Sequence, residues 1–219
     1  MKLRTSVSIL VACCALLGCK AEVWMPASIT QLQGPTTEAV GKAFVQVTTC
    51  RDRATGLDSE DVLKAQQQFG YVWKGAKYCG CQQKNYEHFV EFDVPLVIGN
   101  ANNRIGADQV GVRITNGSGY IDVGQTVRDR FEQLKKSSFL LADANIRYRL
   151  HLKNDTGSDK QVYVVSAFVR PDPNTPGTPV HDSEITHPKD AGYVYTLSDT
   201  ARKFSMKYGY ARIFSIVEK

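Results

Sequence analysis

A chain of 219 residues with 27 lysines and arginines against 22 aspartates and glutamates carries a formal net charge of only +5. So small an excess gives no electrostatic case for a nucleic-acid partner. The length allows one large domain or two small ones with a real core, which makes disulfides supplementary to folding.

Lys2 and Arg4 precede an apolar run from about Val7 to Leu17. A membrane-spanning helix needs roughly 20 apolar residues, and this run ends at Gly18-Cys19-Lys20, so it reads as a targeting segment. Leu16-Leu17-Gly18-Cys19 resembles the bacterial lipobox, with Leu17 where Ala or Ser is commoner. The resemblance implies a signal peptide over residues 1–18 and a lipid-modified Cys19 bearing diacylglycerol and an acyl chain such as palmitate. Several acyl chains, at about 0.8 kcal/mol per buried CH₂, make such an anchor durable. Lys20 stands where an Asp would signal inner-membrane retention in enteric lipoproteins. The resemblance therefore implies a lipid-anchored protein of the bacterial envelope, passed through the periplasm to the outer membrane.

Cys13 and Cys14 leave with the signal, and Lys2 and Arg4 leave with them, so the mature charge falls to +3. Cys50, Cys79 and Cys81 remain in an oxidising compartment. A bridge within Cys79-Gly80-Cys81 would be strained, so Cys50 is expected to pair with Cys79 or Cys81. One thiol is left over, buried, redox-active or available for intermolecular pairing.

Residues 19–40 are expected to form the lipidated N-terminus and a tether, with a short extended stretch near Glu22 to Met25. The folded region is then 41–219, either one domain or two halves divided near residue 105. Ala43, Val45 and Val47 alternate as in a strand. Asp58 or Ser59 can cap a helix that Gly70 ends, with Val62, Ala65, Gln66 and Phe69 on its apolar face. From Tyr86 to Ile98 the even positions are apolar, apart from His88, and odd positions such as Glu87, Glu91 and Asp93 are acidic, which predicts a long strand with one wet face. Pro95 within it requires an edge or a bulge.

Val110 to Ile114 and Tyr120 to Val123 flank the turn signal Asn116-Gly117. Thr126 with Asp129 resembles a capping box ahead of a second helix, striped by Val127, Phe131 and Leu134. Ile146, Tyr148, Leu150 and Leu152 then alternate with Arg147, Arg149, His151 and Lys153, so one face of that strand is a basic ladder. Such a ladder can contact lipid phosphate or an acidic protein. Gln161 to Val169 reads as a central strand. The segment Pro171 to Asp190 reads as the longest loop, with His181, Asp182, Glu184 and His187 as candidate metal ligands. Tyr193, Tyr195, Tyr208 and Tyr210 offer stacking surfaces near two further strand-like stretches, separated by a segment capped by Ser198.

The elements together predict an α+β fold, predominantly antiparallel sheet with two short amphipathic helices. No Gly-x-Ser-x-Gly elbow, Ser-x-x-Lys, His-Glu-x-x-His or phosphate-cradling loop is present, and no cofactor is expected. The lipobox, the early strand, the Cys before a helix and the Cys-containing strand before Val94-Pro95 resemble proteobacterial and prophage-associated lipoproteins. The expected role is non-enzymatic: binding an envelope protein, in assembly or in control of access. Two other readings fit: a glycan-binding protein or enzyme using the 171–190 loop, and a phage or toxin exclusion lipoprotein.

Overall fold

The computed structural model describes residues 20–102, 105–137, 144–171, 178–180 and 182–217. The first strand, β1 (Lys20–Ser28), alternates inward Val23, Met25 and Ala27 with outward Glu22, Trp24 and Pro26. Ser28 then caps the one-turn helix α1 (Ile29–Gln33) by accepting from the Gln31 N–H. The chain returns antiparallel to β1 as β2 (Thr37–Val47). Residues 20–40, expected as a tether, are thus part of the fold, because β1 buries its apolar face in mid-sheet.

Helix α2 (Glu60–Val72) is capped by the Ser59 hydroxyl, which accepts from the Val62 N–H, and Glu60 and Asp61 lie in its positive first turn. It runs through Gly70, which does not end it, because Val72 and Trp73 beyond are drawn into the core. The edge strand β3 (Lys77–Lys84) forms a hairpin with β4 (Glu87–Asn100). Tyr86, expected as a strand residue, belongs instead to the tip of that hairpin.

Strands β5 (Val110–Thr115) and β6 (Ser118–Val123) form a hairpin across Asn116-Gly117, both with positive φ (48° and 71°), as the right-handed strand twist favours. Helix α3 (Gln125–Ser137) buries Val127 and Phe131, and β7 (Asn145–Lys153) follows. β8 (Lys160–Val164) and β9 (Ala167–Arg170) are one strand bent at Ser166, whose φ is 47°. β10 (Thr178–Val180) and β11 (Ser183–His187) pair with them in continuous register, so the expected 171–190 loop is a bent hairpin wherever it is described. β12 (Gly192–Leu197), the Ser198-capped helix α4 (Asp199–Tyr208) and β13 (Tyr210–Val217) complete the chain.

These strands join one sheet in the order β10-β9-β12-β7-β1-β2-β4-β5-β6-β13-β8-β11, with β3 added to β4. Because β8 and β9 are one bent strand, and β13 and β12 pair with its two halves, the sheet curls back on itself around one core. That core runs from Val23 to Phe214, so one sheet and one hydrophobic cluster cross residue 105.

The predicted α+β class, predominantly antiparallel with two helices, is corrected. Strand makes up 52% of the described residues, the helices among them are four and short, and the sheet is mixed. β1 pairs parallel with β7 over nine residues, and β4 pairs parallel with β5. A parallel partner needs no turn beside it, so the pairing of residues 125 positions apart leaves no local pattern in the sequence.

Pro95 shows how β4 serves two neighbours on one edge. β3 pairs with its first half, up to Asp93, and β5 with its end from Val97. Pro95 lies in the gap, where its missing N–H removes no ladder bond. Its carbonyl faces the same gap and accepts from the indole of the buried Trp73 at 3.5 Å.

Candidate functional site

The outer face of β1 and β7 gathers the strongest side-chain cluster. Ile146, Tyr148, Leu150 and Leu152 all point inward and are buried, which turns Arg147, Arg149, His151 and Lys153 outward, as strand alternation requires. Parallel register places Arg147 beside Glu22, Arg149 beside Trp24 and His151 beside Pro26.

Glu22 serves both arginines, at 2.8 Å from Arg149 and 3.4 Å from Arg147, and also accepts from the Trp24 indole at 3.3 Å. Arg149 is sunk into the face, its side chain 15% exposed, while Arg147 is 48% exposed. The Arg149 guanidinium lies 5.4 Å from the Trp24 ring centroid, and the His151 ring packs 4.6 Å from the same indole on its own side. Phe44 meets Trp24 edge-on from β2.

One carboxylate therefore faces two guanidinium groups. Burial lowers the Arg149 pKa, Glu22 opposes that shift, and Arg170 and Arg147 add to it by repulsion. His151 is held below its ordinary value by burial first and then by Arg149 and Arg170. On the far side of Trp24, Lys42 is neutralised by Asp93 at 2.7 Å and Glu91 at 2.8 Å. Trp24, Pro26, Val40, Gly41, Lys42 and His151 line an open cavity of about 140 Å³. A second cavity of about 250 Å³ adjoins it at Val40, whose side is 60% exposed, and extends to Lys77 and Pro95. The combined surface offers guanidinium forks, an aromatic wall and apolar ledges, a set suited to holding carboxylates of a partner surface.

The other sequence candidates are not brought together. His181 lies outside the described residues, as does Cys19. Asp182 sits at the bend of the β10–β11 strand with φ 49°, and Glu184 is exposed. His187 stands three residues on from Glu184 and so on the opposite face of β11, fully buried against Tyr193 at 4.6 Å. Among the described residues no group of three His, Cys, Asp or Glu is placed to hold a metal ion. Of the four tyrosines, Tyr195 is buried in the core, Tyr193 packs on His187, and Tyr208 and Tyr210 pack around Phe204 of α4.

Burial holds the His187 pKa below its usual value, with the backbone of Leu152 and Pro188 opposing. Its neutral form is thus favoured in the fold, while the unfolded chain takes up a proton below about pH 6.5. Stability from this group is present above that pH and is lost as pH falls below it. Thermal unfolding between pH 7.5 and 5.5 is expected to show a falling midpoint, flattened in His187→Phe; an equal slope in both proteins would remove His187 as the cause.

Cys50 and Cys81 form a disulfide, which settles the pairing between the two alternatives, and Cys79 is free and exposed. Regular alternation would put Cys79 and Cys81 on one face. The register jumps from Tyr78↔Phe92 to Gly80↔Glu91, so Cys79 is the extra residue of a β-bulge, with Gly80 at φ 139° beside it. Cys81 turns inward to Cys50 and Cys79 outward. Desolvation and then Asp93 raise the Cys79 pKa, which keeps it a poor thiolate.

Glu22, Trp24 and Arg170 were missed as site residues. The stretch Glu22 to Met25 was legible as extended, but its neighbour β7 was not. No helix of the described residues is long and apolar enough to cross a membrane, which says nothing of strands. A family model described as a domain of unknown function, DUF7424, matches residues 21–219, and the chain belongs to that family. No curated protein and no solved structure matches it.

Proposed function

We propose that this DUF7424 protein is a lipid-anchored envelope protein, held through Cys19, whose outer sheet face around Trp24 and Arg149 binds an acidic protein partner without catalysing a reaction. The lipobox-like Leu16-Leu17-Gly18-Cys19 supports the anchor. The single observation that carries the binding role is the sharing of Glu22 between Arg147, half-exposed at the surface, and Arg149, which lies against the Trp24 ring.

One Glu22 carboxylate is shared by Arg147 and Arg149, and the two guanidinium groups repel one another. A carboxylate-bearing partner would relieve that repulsion, and Arg binds carboxylates in a fixed two-pronged geometry. A protein fits better than a lipid headgroup because the ladder stands up the side of the sheet. Arg149 and Trp24 are four residues along the strand from Lys20, roughly 13 Å above the anchor end.

The test is affinity capture of the tagged, lipidated protein from intact envelopes, with a photo-crosslinking residue at position 153. Wild type is expected to yield a discrete adduct whose crosslinked peptide is acidic. Arg147→Glu is expected to reduce capture at least tenfold, and raised salt to reduce it in wild type, since rim charges act on association and are screened. Capture unchanged by both Arg147→Glu and salt would overturn the binding face. A Cys19→Ser variant that still carries no lipid difference and fractionates with membranes would overturn the anchor.

A further inference from the structure

We infer that the β3–β4 hairpin tip, Lys84-Asn85-Tyr86-Glu87, is a second membrane contact that holds the domain end-on against the bilayer carrying its anchor. The inference rests on the proposed lipidation of Cys19 and adds an orientation to it.

The chain leaves no slack between anchor and fold. Lys20, the residue after Cys19, is already paired with Asn145 in the first rung of the β1–β7 ladder. A single trans peptide spans about 3.8 Å between Cα atoms, so lipid on Cys19 brings this rim of the sheet to the headgroups.

Register then fixes what else reaches that plane. Ala21 is level with Val45, and Val45 is level with Val90. From that level β1 runs back one residue to its first, Lys20, whereas β4 and its turn run back four residues to Tyr86. The hairpin tip therefore extends about three residues, roughly 10 Å, past Lys20 at the end of the sheet that adjoins the anchor. It is two strands away from β1, about 10 Å across the sheet.

The residues at the tip fit an interface between headgroups and acyl chains. Tyr86 is 95% exposed, the most exposed large hydrophobic residue described. Its φ is 65°, following Asn85 at 51°, in a two-residue turn whose second position favours glycine. A bulky side chain is strained there, so the turn itself does not account for the tyrosine. Tyrosine partitions to the membrane–water boundary, with an apolar ring and a polar tip. Lys84 at the tip and Lys20 at the anchor can lay their stems along the interface and keep their ammonium groups at lipid phosphates.

The experiment uses the full lipidated protein in phosphatidylethanolamine–phosphatidylglycerol vesicles with acyl chains brominated near the headgroup. Tyr86→Trp is compared with Lys153→Trp, which sits opposite Ser28 at the far end of β1, and with wild type to subtract Trp24 and Trp73. The added tryptophan at 86 is expected to emit blue-shifted light and to be quenched at least twofold more than the one at 153. If the acylated protein floats with the vesicles and position 86 is quenched no more than position 153, the end-on contact is overturned and the anchor stands. If the N-terminal peptide carries no acyl mass and the protein fails to float, anchor and contact fall together.

Discussion

Replacing Asp122 with alanine is expected to destabilise the fold by about 3 to 5 kcal/mol, the cost of leaving a buried charge without its partner. Asp122 is fully buried on β6, and its carboxylate takes the Nε–H of Arg113, itself 8% exposed on β5. The guanidinium is otherwise held by the Thr115 hydroxyl at 3.3 Å and by the Tyr120 ring, 4.5 Å from the guanidinium carbon to the centroid. Arginine does not shed its proton in a protein, so Asp122→Ala strands a cation between two strands with only a weak hydroxyl and a ring to face. The alternative of replacing both partners removes the stranded charge along with the attraction. Arg113→Met with Asp122→Leu is therefore expected to lose much less than the single change, and urea unfolding of the three proteins measures the difference. A loss under 1 kcal/mol for Asp122→Ala would mean that the strands open enough to rehydrate Arg113.

What the sequence revealed divides by the distance over which each feature is determined. The alternation of Ile146 to Lys153, the Asn116-Gly117 turn and the caps at Ser59 and Ser198 are set by neighbours in the chain, and each takes its expected form. The ladder's partners were not legible, because Glu22 and Trp24 meet Arg147 and Arg149 through a parallel pairing with no connecting turn. His187 shows the opposite error. It sits among Asp182 and Glu184 in sequence, yet strand parity sends it into the core while Glu184 stays outside, so proximity along the chain did not become proximity in space. Gly70 is a helix-ending signal that tertiary packing overrides, since stopping there would leave Val72 and Trp73 in water.

Strand β3 is expected to be held in place chiefly by its disulfide. It is an edge strand read as Lys-Tyr-Cys-Gly-Cys-Gln-Gln-Lys, exposed along most of its length, with no fully buried side chain. Strand pairing with β4 alone is a weak hold for so polar an edge, and the Cys50–Cys81 disulfide ties it to the end of β2 across a separation of 31 residues that encloses α2. Closing a loop of that size in the unfolded chain is worth about 3 to 4 kcal/mol in the chain-entropy model. Changing both cysteines to alanine is expected to lower stability by that amount, and reducing agent should do the same to wild type. Cys81→Ser alone is a poorer test, because it leaves Cys79 two residues away to compete for Cys50. Hydrogen exchange separates a global from a local effect: protection is expected to fall first over β3 and α2, while β1 and β7 stay protected. A uniform loss across all strands would show that the bridge supports the whole curled sheet, and a loss below 1 kcal/mol with unchanged exchange would show that β3 holds its place through pairing alone.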